Sequence, residues 1–214
     1  MQIEIKAGEI KTLFLDIGGV LLTNGWDRGG RNRAVEKFEL DGEEMNERHH
    51  LTFDTFEEGK LTLDEYLSRV VFYEPRSFTK EDFVKFMFEQ SQLIGDNLEF
   101  FKRLKKEYGL KVIAVSNEGR ELNEHRIKEY KLNDLFDGYI SSCYIHLRKP
   151  DRDVWRMACD ISQTAAPHAL YVDDRLMFVE VARSCGIKSL HFQGLDAAKE
   201  FFKTVIFYKK PENK

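Results

Sequence analysis

Short apolar runs alternate with stretches of helical period along most of this chain. Thr12-Leu13-Phe14-Leu15 is an unbroken run, and Lys111-Val-Ile-Ala-Val115 and Ala169-Leu-Tyr-Val172 repeat the pattern. Continuous rather than alternating hydrophobicity is what a strand buried on both faces requires. Gly138–Cys143 and Ile187–Phe192 read as two further strands. Helical spacing predicts helices over Glu121–Tyr130, over Asp151–Ile161 behind Pro150, over Met177–Ser184 stopped by Gly186, and from Asp196 onward. Strand–helix alternation points to a Rossmann-like parallel α/β sheet covered by helices on both faces.

Between Asp27 and Ser91 the pattern changes. Strand signals are few. Helical spacing appears in Val35, Phe38 and Leu40, in Leu63, Tyr66, Leu67 and Val70, and in Phe83, Phe86 and Met87. Thr62 offers an N-cap before an acidic first turn, and Thr79 repeats the signal with Asp82 at the capping-box position. The expectation is a bundle of about four helices inserted between the first strand and the rest of the sheet. Residues 24–94 form the insert, and residues 1–23 and 95–214 form the core. Asp96–Tyr108 returns the chain to the core as a helix, with Gly109 at its end.

Length and charge narrow the classes. The 214 residues suffice for one core plus a smaller insertion. A net charge of -4 without a basic cluster argues against nucleic acid as a partner. The charged, alternating start Met1–Lys6 does not read as a signal peptide, no apolar span reads as long enough for a membrane, and the tail Lys209–Lys214 reads as frayed. Cys143, Cys159 and Cys185 are odd in number and scattered, which fits neither a disulfide framework nor a zinc site. A reduced, cytoplasmic setting is expected, with monomer and homodimer left open.

Candidate chemistry sits at the strand ends. Asp16 closes the first apolar run and meets Gly18-Gly19, where the backbone can turn sharply against a bound group. Ser116-Asn117 follows the second strand and offers groups suited to an oxyanion or phosphate, or simply a helix N-cap. Lys149-Pro150 follows the third strand, where an ammonium is either poised over an anion or solvated. Asp173-Asp174 follows the fourth, as ligands for a hard cation or as capping residues. Each bland alternative is reasonable alone; four candidates at four strand ends in order are harder to dismiss.

That ordered set, from about Lys11 to Gln193, resembles the haloacid dehalogenase-like hydrolase superfamily. The matches are Asp16-Ile-Gly-Gly-Val, Ser116-Asn117, Lys149-Pro150 and Asp173-Asp174, with the insert similar to the superfamily's helical cap. The resemblance implies a phosphatase acting on a small phosphorylated metabolite. Asp16 would be the nucleophile, forming an aspartyl-phosphate. Ser116, Asn117 and Lys149 would hold the phosphoryl group. Mg²⁺ would lie between Asp16, the phosphate and Asp173, with the Gly18 carbonyl and Asp174 as further ligands. One position departs from the family pattern. Most such phosphatases carry a second Asp two residues after the nucleophile, to protonate the leaving group, and here that residue is Gly18. General acid–base help is worth about 10²–10⁴-fold. A subset resembling sugar-1-phosphate phosphatases shares the glycine, which fits an easier anomeric leaving group.

Two alternatives remain at this stage. A carbon–halogen hydrolase of the same superfamily needs no metal, which Asp173-Asp174 argues against. A non-catalytic binding or regulatory protein would explain Gly18 but not the retained Asp16, Ser116 and Lys149. His49 and His50 are expected on a solvated helix face. Trp26 and Arg28, where the chain enters the insert, either line a cleft or pack the hinge. Arg120 and Arg175 are expected on helix surfaces, and Phe83, Phe86 and Phe88 in the core of the insert.

Overall fold

The computed structural model describes residues 10–205 and Phe207. The segments Met1–Lys6 and Lys209–Lys214 lie outside the described residues. The elements follow in the order β1 (Thr12–Leu15), α1 (Arg28–Phe38), α2 (Gly42–Glu57), α3 (Leu63–Val70), α4 (Lys80–Glu89), α5 (Asn97–Tyr108), β2 (Lys111–Ser116), α6 (Arg120–Glu129), β3 (Gly138–Ser141), α7 (Ser142–Ile145), α8 (Arg152–Ser162), β4 (Ala169–Asp173), α9 (Leu176–Ser184), β5 (Lys188–His191) and α10 (Leu195–Thr204). No helix among the described residues is long and apolar enough to cross a membrane.

The five strands are all parallel, in the order β3-β2-β1-β4-β5. The unbroken apolar runs have a direct explanation. Leu13, Leu15, Val112, Ala114, Leu170 and Val172 face one layer, with Leu98, Phe101 and Phe202 of α5 and α10. Phe14, Ile113, Val115 and Tyr171 face the other, with Trp155 and Ala158 of α8 and Phe178 and Ala182 of α9. Successive side chains point to opposite faces, so two buried faces demand apolar residues throughout.

Helices α1 to α4 share a separate core built on Trp26, Tyr66, Leu67, Phe83 and Phe86, with Leu122 of α6 contributed from the sheet side. The caps form as the sequence suggests. Thr62 with Glu65 and Thr79 with Asp82 complete capping boxes, and Gly109 ends α5 in the left-handed region. The chain crosses into these helices near Thr23 and out near Gln92. The crossings touch: Thr23 N donates to Gln92 O at 2.8 Å, and Gln92 N to Thr23 Oγ1 at 3.0 Å.

The third strand corrects its expectation. It stops at Ser141, opposite Ser116 at the end of β2, because beyond that pair there is no ladder partner. Residues 142–145 instead wind into the one-turn helix α7, closed by His146 in the left-handed region. The Ser142 hydroxyl accepts from Glu118 N at 2.9 Å and donates to Glu57 O at 2.6 Å, joining α7 to the end of α2.

Candidate active site

The central position of β1 sets the site. Its carboxyl end lies between those of β2 and β4, so one residue at its tip meets groups from both neighbours. Asp16 is that residue. Its N–H donates to Val172 O at 3.0 Å, and its Oδ1 accepts from Ile17 N at 2.9 Å. Asp173, last on β4, accepts from Arg175 N on Oδ1 at 2.7 Å. Lys149 joins the two: its Nζ stands 3.1 Å from Asp16 Oδ1 and 2.7 Å from Asp173 Oδ2. The third donor position of this buried ammonium goes to the Tyr171 hydroxyl at 3.1 Å, which itself donates to Asp173.

Burial dominates the electrostatics. It pushes the Asp16 carboxyl up, Lys149 pulls it back and the neighbouring Asp173 charge raises it further, which together leave it at about 7. Burial also works against an ionised Asp173, but Lys149, Tyr171 and Arg175 N together hold it below the usual carboxylate range. The two carboxylates keep Lys149 protonated despite its burial. Asp174 is pushed up by burial and by Asp173. Its Oδ2 accepts from Asn24 Nδ2 at 3.4 Å, while its Oδ1 is buried without a partner.

Asp16, Asp173 and Asp174 each offer an oxygen, all within 4.8 Å of one another. Three carboxylates against one ammonium leave negative charge in excess, and the orphaned Asp174 Oδ1 needs a positive neighbour. This all-oxygen donor set fits Mg²⁺. Gly19 (φ 71°) makes the arrangement possible, since a Cβ there would collide with the Asp174 carboxylate. The left-handed residue is thus Gly19. A Cβ on Gly18 would stand 2.8 Å from Asn24 Oδ1, so the Asn24 amide fills the space beside position 18.

At the end of β2, Ser116 Oγ donates to Glu118 Oε1 at 3.0 Å. Asn117 does something different from binding an anion with its amide. Its Oδ1 accepts from Lys149 N at 2.8 Å and its Nδ2 donates to Lys149 O at 2.9 Å, so the side chain fixes the backbone that carries Lys149. Glu118 is buried against Arg126 of α6, with Nη1 2.5 Å from Oε1. Arg126 also donates to Ser91 Oγ at 2.9 Å and to Thr23 O at 3.3 Å. One guanidinium thus ties both crossings to the strand end that bears Ser116. No spacing rule marks Tyr171, Glu118 or Arg126 in the sequence, because it is the fold that brings Tyr171 to Lys149 and Arg126 to Ser91 and Thr23.

A cavity of about 900 Å³ opens between these strand ends and helices α1 and α2, lined by Asp16, Gly18 and Ser116 on one side and Trp26, Arg31 and His49 on the other. Trp26 fills both roles considered for it. It lines the cavity and packs edge-on against Phe83 at 5.6 Å. His49 corrects its expectation: it is half-buried, faces the cavity wall and holds Tyr66 OH at 2.7 Å through Nδ1. Burial and the nearby Arg31 lower it to about 3, so it is neutral at neutral pH. Arg28, His50 and Arg175 are exposed at the cavity rim. Arg120 points elsewhere, donating to Cys143 O at 2.9 Å. Arg148, beside Lys149, spans the gap to α2 and pairs with Glu57 at 2.5 Å and with Asp54.

Comparison with known proteins agrees with this geometry. Residues 10–186 match the model of the family described as haloacid dehalogenase-like hydrolase. The sesquiterpene phosphatase astK of Aspergillus oryzae is 34% identical over 68 residues, 31% of this chain and 35% of that protein. A Caldanaerobacter subterraneus protein named for pyrophosphatase activity, PpaX, is 30% identical over 95 residues, 44% of this chain and 43% of its own. The match thus spans less than half the length of either curated relative. The crystal structure of a HAD family enzyme from Bacteroides thetaiotaomicron, in complex with magnesium and inorganic phosphate, superposes with a TM-score of 0.75 at 19% identity, covering 90% of this chain and 99% of that one. At this identity the likeness is one of fold.

Proposed function

The chain belongs to the haloacid dehalogenase-like hydrolase family, and from that premise we propose that it is a Mg²⁺-dependent phosphatase of small phosphorylated metabolites, with Asp16 as nucleophile. The observation that carries this reading is the cluster at the strand ends. A buried carboxylate at the tip of β1 shares one ammonium with Asp173, beside a third carboxylate with an unpaired oxygen, on the wall of a cavity. The phosphatase names of the two curated relatives are consistent with it.

In this reading Asp16 attacks phosphorus; the Asp16 O–P bond forms as the P–O bond to the leaving group breaks, and that oxygen departs with the electron pair. Lys149 holds Asp16 in place and offsets its charge and that of the incoming phosphoryl group. Ser116 turns its one hydroxyl hydrogen from Glu118 to a phosphoryl oxygen when substrate binds, and Asn117 keeps the Lys149 backbone in register. Water then attacks the aspartyl-phosphate and releases inorganic phosphate and free Asp16. Asp16, Asp173 and Asp174, with the Gly18 carbonyl, would hold Mg²⁺, which would supply positive charge to the phosphoryl group. Helices α1 to α4 act as the cap that excludes water. Position 18 supplies no proton, so the leaving group departs as an anion or takes its proton from solvent. Anomeric sugar phosphates satisfy that condition.

The test is phosphate release from an activated aryl phosphate. Activity should stop in chelator and return with Mg²⁺. Turnover of halo-acids in chelator would move the assignment to carbon–halogen hydrolysis. Mg²⁺ binding without any phosphate release would favour the non-catalytic reading that Gly18 allows.

A further inference from the structure

Most buried or half-buried cations around the cavity have a carboxylate partner. Lys149 has Asp16 and Asp173, Arg126 has Glu118, and Arg148 has Asp54 and Glu57. Arg31 of α1 is the exception among the described residues. It is half-buried on the cavity wall, and its side chain donates only to neutral acceptors, through Nε to Asn46 Oδ1 at 3.2 Å and through Nη1 to Trp26 O at 3.2 Å. Its Nη2 makes no bond there. Asp27 and Glu57 act on it only through space, and each is engaged elsewhere: Asp27 caps α1 through Gly30 N, and Glu57 binds Arg148. Burial accordingly lowers the Arg31 pKa. A guanidinium desolvated without a counterion carries a free-energy cost that an incoming anion would relieve.

A second donor stands on α2. Trp26 Nε1 donates to the Tyr66 hydroxyl at 2.9 Å, and that hydroxyl lies 2.7 Å from His49 Nδ1. Tyr66 is fully buried, so its own hydrogen must go to Nδ1; the opposite assignment would leave it without an acceptor. His49 is therefore fixed as the neutral tautomer with its proton on Nε2, which makes no hydrogen bond among the described residues. Both donors line the side of the cavity away from Asp16, where the departing part of a substrate would lie.

Resting on the phosphatase reading above, we propose that the substrate's leaving group carries a second anionic group, a carboxylate or a phosphate, bound by Arg31 with His49 as its hydrogen-bonding companion. Such a leaving group also suits the absence of an acid at Gly18 when the second group is a phosphate in anhydride linkage, because phosphate departs readily without a proton.

The experiment compares phenyl phosphate, 4-carboxyphenyl phosphate and inorganic pyrophosphate with Mg²⁺ present, for the wild type, Arg31→Gln and Arg31→Lys. The wild type should prefer at least one substrate with a second anionic group over phenyl phosphate by about ten- to a hundredfold in kcat/KM, the range expected for hydrogen bonds to a charged group. The preference should lie mainly in KM. Arg31→Gln should bring that ratio close to one, and Arg31→Lys should keep part of it. Preference for the carboxylate identifies one source of the anion, and preference for pyrophosphate the other. Thermal unfolding of each variant checks that it is folded, and competitive inhibition by free benzoate or phosphate, weakened in Arg31→Gln, gives a readout independent of leaving-group chemistry. Equal use of all three by the wild type, or a preference that survives Arg31→Gln, overturns the proposal and leaves the phosphatase reading intact. Absence of turnover on any of them instead removes the reading on which it rests.

Discussion

A carboxylate whose ionisation is opposed by burial should announce itself in stability as well as in turnover. Asp16 has a folded pKa near 7 against an ordinary value of 3.8. Between those values the folded chain binds the extra proton, so stability falls as pH rises from about 4 to 7. Asp16→Asn removes that penalty. In chelator, its Tm relative to wild type should climb from pH 5 to pH 8 while phosphate release disappears. A constant Tm difference would mean that Asp16 ionises normally, and turnover within a few-fold of wild type would exclude it as nucleophile. Gly18 is the second informative residue. Its backbone is outside the left-handed region, so a side chain is admissible if Asn24 yields. Gly18→Asp should raise kcat/KM for poor alkyl leaving groups more than for aryl ones. A leaving-group series that stays parallel in wild type and variant would show that proton transfer at this position does not limit the reaction.

Among the elements, those governed by local pattern were legible in the sequence, and those governed by distant partners were not. Thr12–Leu15 and Ala169–Val172 announce doubly buried strands because both faces are apolar. Thr62 and Thr79 announce helix starts because a capping box lies within four residues. The end of β3 was misjudged because the end of β2 decides it. Asp16, Ser116, Lys149 and Asp173 stood out as strand-end residues. Tyr171 reads only as strand core and His49 as a solvent-facing residue, while nothing in the pattern singles Arg126 out within the helix over Glu121–Tyr130. Arg126 is the informative element-level case. Replacing it with Ala leaves Glu118 buried and unpaired, which should cost about 3–5 kcal/mol. Arg126→Met with Glu118→Gln should recover much of this in chemical denaturation while still slowing catalysis, because Ser116 and both crossings lose their common anchor. If the double variant is no more stable than Arg126→Ala alone, the buried charge is not the source of the cost.

At the scale of the whole molecule, the helix-covered sheet and the separate core of α1 to α4 meet over the cavity that Asp16 lines. They are joined at the crossings and again where Arg148 pairs with α2 and Phe56 lies against Gly119. Because Arg148 is partly solvated, its pairs should weaken with salt. KM for a small aryl phosphate should therefore be more salt-sensitive in wild type than in Arg148→Gln; equal sensitivity would deny these pairs a part in docking the helices. The contact between Thr23 and Gln92 carries a consequence of another kind. The chain leaves for helices α1 to α4 and comes back at two points joined by a pair of hydrogen bonds, so everything between them is a detour that returns to its starting place. A gene encoding residues 1–23 joined through a short glycine linker to residue 92 would ask the shortened chain to close almost no gap, and loop-closure entropy grows only slowly with length. Such a detour can be exchanged for another of different shape without redrawing the sheet, which leaves the reacting residues and the surface that selects among substrates free to change on separate evolutionary clocks.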